Sequence, residues 1–197
     1  MRNNKTVVAI TGHSGCGKSH LGRYYASKGY TVIDCDEVAA EIHSDTDCQL
    51  QLCEAFGRDV LCDGVIDKAL LAQRAFANNE SLQKLTDITH PFIINKILAA
   101  IDESQQDIVF VDGAVIIGHD FEQYCDRFIV VVSDRNLQYG RLVGRDGISV
   151  QQAKNRIDRQ TPQEILLSKA DFVIYINGSV AQLEYQGDYA LRTLKKE

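Results

Sequence analysis

Apolar, β-branched residues gather in five short runs, at residues 6–11, 31–34, 107–112, 127–132 and 171–176, separated by longer stretches of helical spacing. Runs of this kind are the strands of a parallel sheet buried on both faces, and the helices between them supply the cover. The pattern predicts an α/β fold with a five-stranded parallel sheet and helices on both faces. After the first run, Leu21, Tyr24 and Tyr25 recur at helical spacing and Gly29 marks a stop. From about 38 to 105 no run reads as a strand, so the stretch is expected to be all-helical. Within it, Leu70, Leu71, Arg74, Ala75 and Phe76 outline one amphipathic helix, and Leu82, Leu85 and Ile88 begin another. His90-Pro91 is expected to interrupt that second helix, with the proline opening a new one that carries Ile93, Ile94, Ile97, Leu98 and Ile101. A further helical segment, 134–169, bears Arg141, Arg145, Lys154, Arg156 and Arg159.

Composition narrows the class. With 197 residues, 45% apolar and 24% charged, the chain can bury one sizeable core plus a modest insertion. A net charge of −6 argues against non-specific nucleic-acid binding, which depends on clustered Lys and Arg. No leader or membrane span is visible, since the first strand begins almost at once and no apolar run approaches about 18 residues. The expectation is a cytoplasmic protein, monomer or weak homo-oligomer, with no nucleic-acid or membrane partner. The six cysteines form no Cys-x-x-Cys pair and no zinc-type cluster with the five histidines, which favours reduced thiols.

The first strand leads into Gly12-His13-Ser14-Gly15-Cys16-Gly17-Lys18-Ser19, a complete G-x-x-x-x-G-K-S phosphate-binding loop set between strand and helix. Gly12, Gly15 and Gly17 let backbone N–H groups, that of Cys16 included, curl around a polyphosphate. Lys18 adds a charge at the outer phosphates, Ser19 offers a hydroxyl to Mg²⁺, and the helix starting near Gly17 contributes its dipole. His20 follows on the helix surface. Cys16, near a helix N-terminus, is expected to gain thiolate character, so its oxidation would block ATP.

Phosphoryl transfer needs alignment, charge neutralisation and a proton acceptor. The second strand ends Val-Ile-Asp-Cys-Asp, and strand alternation would put Asp34 and Asp36 on one side near the ligand crevice. Asp36 is the candidate general base and Asp34 a supporting or metal-linked carboxylate; the plainer alternative is that Asp36 caps the next helix. Asp112 closes the third strand, where a carboxylate can orient Mg²⁺ or its waters. Arg141 or Arg145 on a mobile lid could neutralise the migrating phosphoryl group, the alternative being a solvated helical face. His90 is either a helix-junction residue alone or one whose imidazole faces the acceptor.

These residues together resemble the dephospho-coenzyme A kinase family. The resemblance runs in order through the loop, Val-Ile-Asp-Cys-Asp, Phe56-Gly57, Asp63-Gly64, Asp67 with Leu70 and Phe76, and His90-Pro91. It continues through Arg141 with Arg145-Asp146-Gly147, Arg156, Gln160, Ala170-Asp171-Phe172-Val173-Ile174 and Asn177-Gly178-Ser179. It implies transfer of the γ-phosphate of ATP, with Mg²⁺, to the ribose 3′-hydroxyl of dephospho-CoA. It also implies that Asp36 is the base, that Gly15 to Ser19 hold ATP, and that Arg141 and Arg145 belong to the lid. Asn177-Gly178 would form the turn near the adenine, and Asp34, Asp36, Phe76 and His90 would serve the acceptor.

The implied architecture is a P-loop nucleoside-triphosphate-hydrolase-like core at 1–37, 106–140 and 170–197. A helical acceptor-binding insertion at 38–105 and a lid at 141–169 complete it. Departures from the family lie at Ala114-Val115-Ile116-Ile117-Gly118, in place of Pro-Leu-Leu-Phe-Glu, and at Ala40, Lys68 and His20. Another P-loop small-molecule or nucleotide kinase, or a non-catalytic sensor of ATP or CoA, is the alternative reading.

Overall fold

A computed structural model describes residues 5–177 and 179–196, so the Gly178 expectation lies outside the described residues. In chain order the elements begin β1 (Thr6–Thr11), α1 (Lys18–Ser27), β2 (Thr31–Asp34), α2 (Cys35–Glu41) and α3 (Thr46–Phe56). There follow β3 (Leu61–Cys62), β4 (Val65–Ile66), α4 (Lys68–Ala75), α5 (Asn79–Glu103), β5 (Ile108–Asp112) and β6 (Arg127–Val132). The chain continues with α6 (Arg135–Asp146), α7 (Val150–Asp158), α8 (Gln163–Lys169), β7 (Phe172–Tyr175) and α9 (Val180–Leu194). These group into two compact units, one holding the chain up to Ile33 and from Ser104 onward, the other Asp34–Glu103.

The five apolar runs are the five strands of one sheet, in the order β2-β5-β1-β6-β7. β5 and β6 both run parallel to β1, and β7 runs parallel to β6. Because side chains alternate across a strand, the sheet feeds two cores. On one face Val8, Ile10, Phe110, Ile129 and Val131 pack with Leu21 and Tyr25 of α1 and Leu183, Ala190 and Leu191 of α9. Tyr25 stacks on Phe110 with ring centroids 4.1 Å apart, and its buried hydroxyl donates to the Gly187 carbonyl at 3.1 Å. That bond satisfies the polar end of the largest ring in this core. On the other face Val130 and Val132 meet Ile117 and Leu166.

The second unit has its own core, with Ile42, Cys48, Leu52, Phe56, Val60, Ile66, Leu71 and Ala75 at its centre. Two expectations are corrected here. The insertion is not all-helical, because β3 and β4 pair antiparallel, Leu61 opposite Ile66 and Cys62 opposite Val65. The turn between them is Asp63-Gly64, with φ of 50° and 79°, and two positive φ values are the mark of the tight hairpin turn that Asp-Gly favours. Two-residue strands are too short to show any hydrophobic period, so the Asp-Gly pair was their only signal.

Pro91 does not break the chain into two helices; it lies inside the continuous α5. An interior proline forfeits one backbone hydrogen bond and costs about 3 kcal/mol. On either side of it, Leu85, Ile88, Phe92 and Ile93 all pack on the same core cluster. All four are half-buried, so each gains part of the about 1.5–3 kcal/mol that full burial is worth, and together they offset the local penalty.

Candidate active site

β1 sits between β5 and β6, and the chain leaves it in one direction toward β2 and later returns to build β6 and β7 on the other side. The crevice at such a switch point, outside the carboxyl ends of the strands, is where open α/β sheets take ligands. The phosphate loop begins there. Gly17 stands as the N-cap of α1 at φ 107°, and the helix carries no acidic residue in its first turn, so its positive end is left for an anion. Lys18 Nζ donates to the carbonyls of Gly12 at 2.9 Å and His13 at 3.4 Å, and the Cys16 N–H closes the loop on His13 O at 3.1 Å. Ser19 is exposed in the first turn of α1, and His20 is half-buried beside it.

The loop is held from α6. A Cβ on Gly15 would stand 2.7 Å from the Gln138 carbonyl oxygen, so only glycine fits where the loop passes that helix. One turn farther along, Arg141 donates from Nη1 to Gly15 O at 3.0 Å, Cys16 O at 3.2 Å and Ser133 Oγ at 3.2 Å. Arg145 points elsewhere: it forms a two-pronged pair with Asp146, at 2.6 and 3.0 Å, and Arg156 joins the same carboxylate at 2.8 Å. The hydrogen bond from Arg145 leads the causes that hold the Asp146 carboxyl below its usual range. The structure therefore brings Arg141 to the loop and leaves Arg145 on the exposed side of the same helix.

Cys16 is the clearest correction. Its side chain is fully buried among Ile10, Val131 and Ile176, and burial pushes its thiol up rather than down. A thiol that is neither accessible nor ionised does not react readily, whatever helix end lies beside it.

The acids are distributed by the turns that carry them. Asp112 ends β5, buried, with Oδ2 only 3.4 Å from where a Cβ on Gly22 of α1 would lie. Asp34 and Asp36 do not alternate along one strand: β2 stops at Asp34, and Asp36 is already in the first turn of α2. Asp34 is the N-cap, its Oδ1 accepting from the N–H groups of Asp36 at 2.8 Å and Glu37 at 3.3 Å. Capping thus falls to Asp34, and Asp36 is exposed.

Of the remaining candidates, Asn177 Oδ1 accepts from the Asp134 N–H at 2.7 Å, tying the exit of β7 to the start of α6. Phe76 follows the end of α4 and is 67% exposed, and His90 is half-buried within α5. Neither lines the cavity of about 440 Å³ in the second unit, which is bounded by Glu41, Ile42, Ser44, Asp45, Phe92, Asn95 and Lys96. Lys96 pairs there with Glu41 at 2.8 Å.

Sequence reading missed two features of the first unit. Where an acid is absent at Gly118, Glu122 folds back so that its Oε2 accepts from the Gly118 N–H at 2.6 Å and its Oε1 pairs with Lys169 at 2.7 Å. Ile116 and Ile117 of the altered segment fill the core instead. Second, His13 and Ser14 of the loop bond to Thr161 and Gln160. No local pattern announces a contact across that much chain.

No helix among the described residues is long and apolar enough to cross a membrane, and none of them form a cluster of three or more metal-ligating side chains. A sequence profile of the dephospho-CoA kinase family matches residues 6–182. Dephospho-CoA kinase from Fusobacterium nucleatum is 32% identical over 178 residues, covering 90% of this chain and 92% of that protein. Among solved structures, TT1252 from Thermus thermophilus superposes with a TM-score of 0.85 at 25% identity, over 96% of this chain and 98% of its own. Dephospho-CoA kinase from Campylobacter jejuni gives a TM-score of 0.67 at 27% identity, over 98% of this chain and 100% of its own.

Proposed function

The chain belongs to the dephospho-CoA kinase family, and from that footing we propose the reaction in full: transfer of the γ-phosphoryl of ATP to the ribose 3′-hydroxyl of dephospho-CoA, giving coenzyme A and ADP. The chain is a kinase with a P-loop fold. The observation that carries the reading is the loop itself, with Lys18 Nζ already drawn to the Gly12 and His13 carbonyls at its rim. A lysine held at the rim of the loop keeps its charge close to where a polyphosphate would lie, and preorganised charge is where electrostatic catalysis gains most.

In this reading the backbone of Gly12 to Ser19 cradles the β- and γ-phosphates while Lys18 and Arg141 or Arg145 offset the charge that builds during in-line transfer. Asp36, acting as general base, takes the proton from the attacking hydroxyl. Its capping neighbour Asp34 supports the turn that presents it, and Phe76 and His90 contribute to acceptor binding. Asn177 flanks the adenine.

The residues present fit a Mg²⁺ ion. The Ser19 hydroxyl and the Asp112 carboxylate are hard oxygen donors, and Asp112 faces α1, the helix on which Ser19 stands. Too few for a dedicated cage, they suit an ion that is completed by substrate phosphates and water. When bound, the ion would neutralise phosphate charge. The six cysteines are free thiols, which a reducing cytoplasm maintains, and we place the protein there.

The test is mass-spectrometric detection of coenzyme A after incubation of purified protein with Mg·ATP and dephospho-CoA, with Lys18→Ala as matched control. Product from the wild type alone supports the reading. ATP binding without coenzyme A formation would overturn the acceptor assignment and send the search to other hydroxyl acceptors.

A further inference from the structure

The phosphate loop is gripped by a second segment, the short connection between α7 and α8. Gln160 Oε1 accepts from the Ser14 N–H at 2.8 Å. On the adjoining residue, His13 Nε2 lies 2.8 Å from the Thr161 carbonyl oxygen, so it carries the proton and donates. The imidazole is buried, and burial lowers its pKa, which keeps it neutral. The two contacts cross, one running from loop backbone to connection side chain and the other from loop side chain to connection backbone.

The connection is itself immobilised at both ends. Ile157 of α7 is buried with Leu142 and Ala153, and Leu166 of α8 is buried with Val130, Val132 and Ile117 of the sheet core. Between them the Gln160 N–H bonds to Ile157 O at 3.0 Å, and Pro162 is the N-cap of α8. A side chain projecting from so short and doubly anchored a segment is placed by the cores around it.

We propose that His13 and Gln160 form a latch that holds the outer lip of the phosphate loop to the α7–α8 connection, which makes both of them positioning residues for the phosphoryl donor. The path to the chemistry is short. Lys18 Nζ is drawn to the carbonyls of Gly12 and His13, so the place of the ammonium depends on where the His13 backbone sits. Thr161 fixes the His13 side chain and Gln160 fixes the next amide. Release of the latch lets the lip drift, and the Lys18 charge moves with it. Arg141 braces Gly15 and Cys16 independently, so the loop stays folded while its lip loosens.

The experiment compares Gln160→Met, of similar length but with no acceptor, with Gln160→Glu, which keeps one, and with His13→Leu and the double variant. KM for ATP and KM for dephospho-CoA are measured separately, and exchange of the Ser14 amide is followed in nucleotide-free protein. The choice of substrates rests on the proposed reaction, whereas amide exchange does not, so failure of one reading is distinguishable from failure of the other. Gln160→Met is expected to speed Ser14 exchange and raise KM for ATP about five- to tenfold, the net worth of one hydrogen bond, with KM for dephospho-CoA changed less than about twofold. Gln160→Glu is expected to restore the slow exchange. The double variant is expected to cost less than the sum of the single ones, as coupled contacts do. An unchanged Ser14 exchange rate in Gln160→Met would overturn the latch. So would equal rises in both KM values with a lowered melting temperature, which would mark Gln160 as merely structural. Should Gln160→Met fail to fold, faster Ser14 exchange in His13→Leu supports the proposal and an unchanged rate overturns it.

Discussion

Arg141 donates from Nη1 to the carbonyl oxygen of Gly15 at 3.0 Å, across a separation of 126 residues. The same nitrogen reaches Cys16 O and Ser133 Oγ, and Nη2 lies 3.4 Å from Ile176 O. A planar guanidinium can reach the loop, the β6 exit and the β7 exit together; an ammonium cannot.

Arg141→Lys is therefore expected to weaken the loop although it keeps the charge. Losing one or two charge-assisted bonds costs about 1.5–3 kcal/mol each, softened where water replaces them. Urea unfolding should show a lowered midpoint, and kcat/KM for ATP should fall at least tenfold. An unaltered midpoint would mean that the contacts to Gly15 and Cys16 contribute nothing.

Asp34 and Asp36 separate cap from base. Asp36→Asn leaves the Asp34 cap in place, so the fold should be unaffected while turnover falls by about 10²- to 10⁴-fold with little change in ATP affinity. Asp34→Ala should instead destabilise α2 by about 1 kcal/mol. Steady-state kinetics beside thermal unfolding of both variants decides the point, and retained turnover in Asp36→Asn would remove it as the base.

The sheet was legible because each strand is built on a short apolar, β-branched run, only Val32-Ile33 in β2, and the phosphate loop because its eight residues must follow one another. What escaped was set by residues distant in sequence. Pro91 reads as a break until Leu85, Ile88, Phe92 and Ile93 are seen to share one core. Cys16 reads as a reactive thiol near a helix end until Val131 and Ile176 close over it. Asp63-Gly64 was a hairpin signal in plain view, obscured because the strands it joins have two residues each. The contacts of His13 and Ser14 with Thr161 and Gln160 carry no local trace at all.

The thiols should react in an order set by burial. Cys62 is exposed, whereas Cys16 and Cys48 are buried. Burial, with Asp45 nearby, pushes the Cys48 thiol up to about 11, leaving about a hundredfold less thiolate at neutral pH than an ordinary cysteine. Mass-mapped maleimide labelling of the native protein should modify Cys62 first and Cys16 and Cys48 only after urea is added. Cys16→Ser should leave the response of activity to oxidant unchanged, and protection in that variant would reinstate Cys16 as a sensor.

His13 makes stability depend on pH in a defined direction. Burial lowers its pKa from the usual value near 6.5, and Arg135 and Lys18 lower it further, while the Thr161 carbonyl and Glu164 partly oppose them. A group that binds its proton more weakly when folded contributes stability fully above its unfolded pKa. That contribution is lost as pH falls from about 6.5 toward the folded value. Protonation would not remove the Nε2–H that donates to Thr161; it would bury a charge beside two cations. Urea midpoints measured at pH 7.5 and pH 5.5 should therefore fall in the wild type and fall less in His13→Gln, which keeps a neutral donor. His43, whose pKa burial also lowers, adds a slope of the same sign that the variant retains. Equal slopes in the two proteins would mean that His13 accepts its proton in the folded state as readily as in water, and that its burial carries no electrostatic cost.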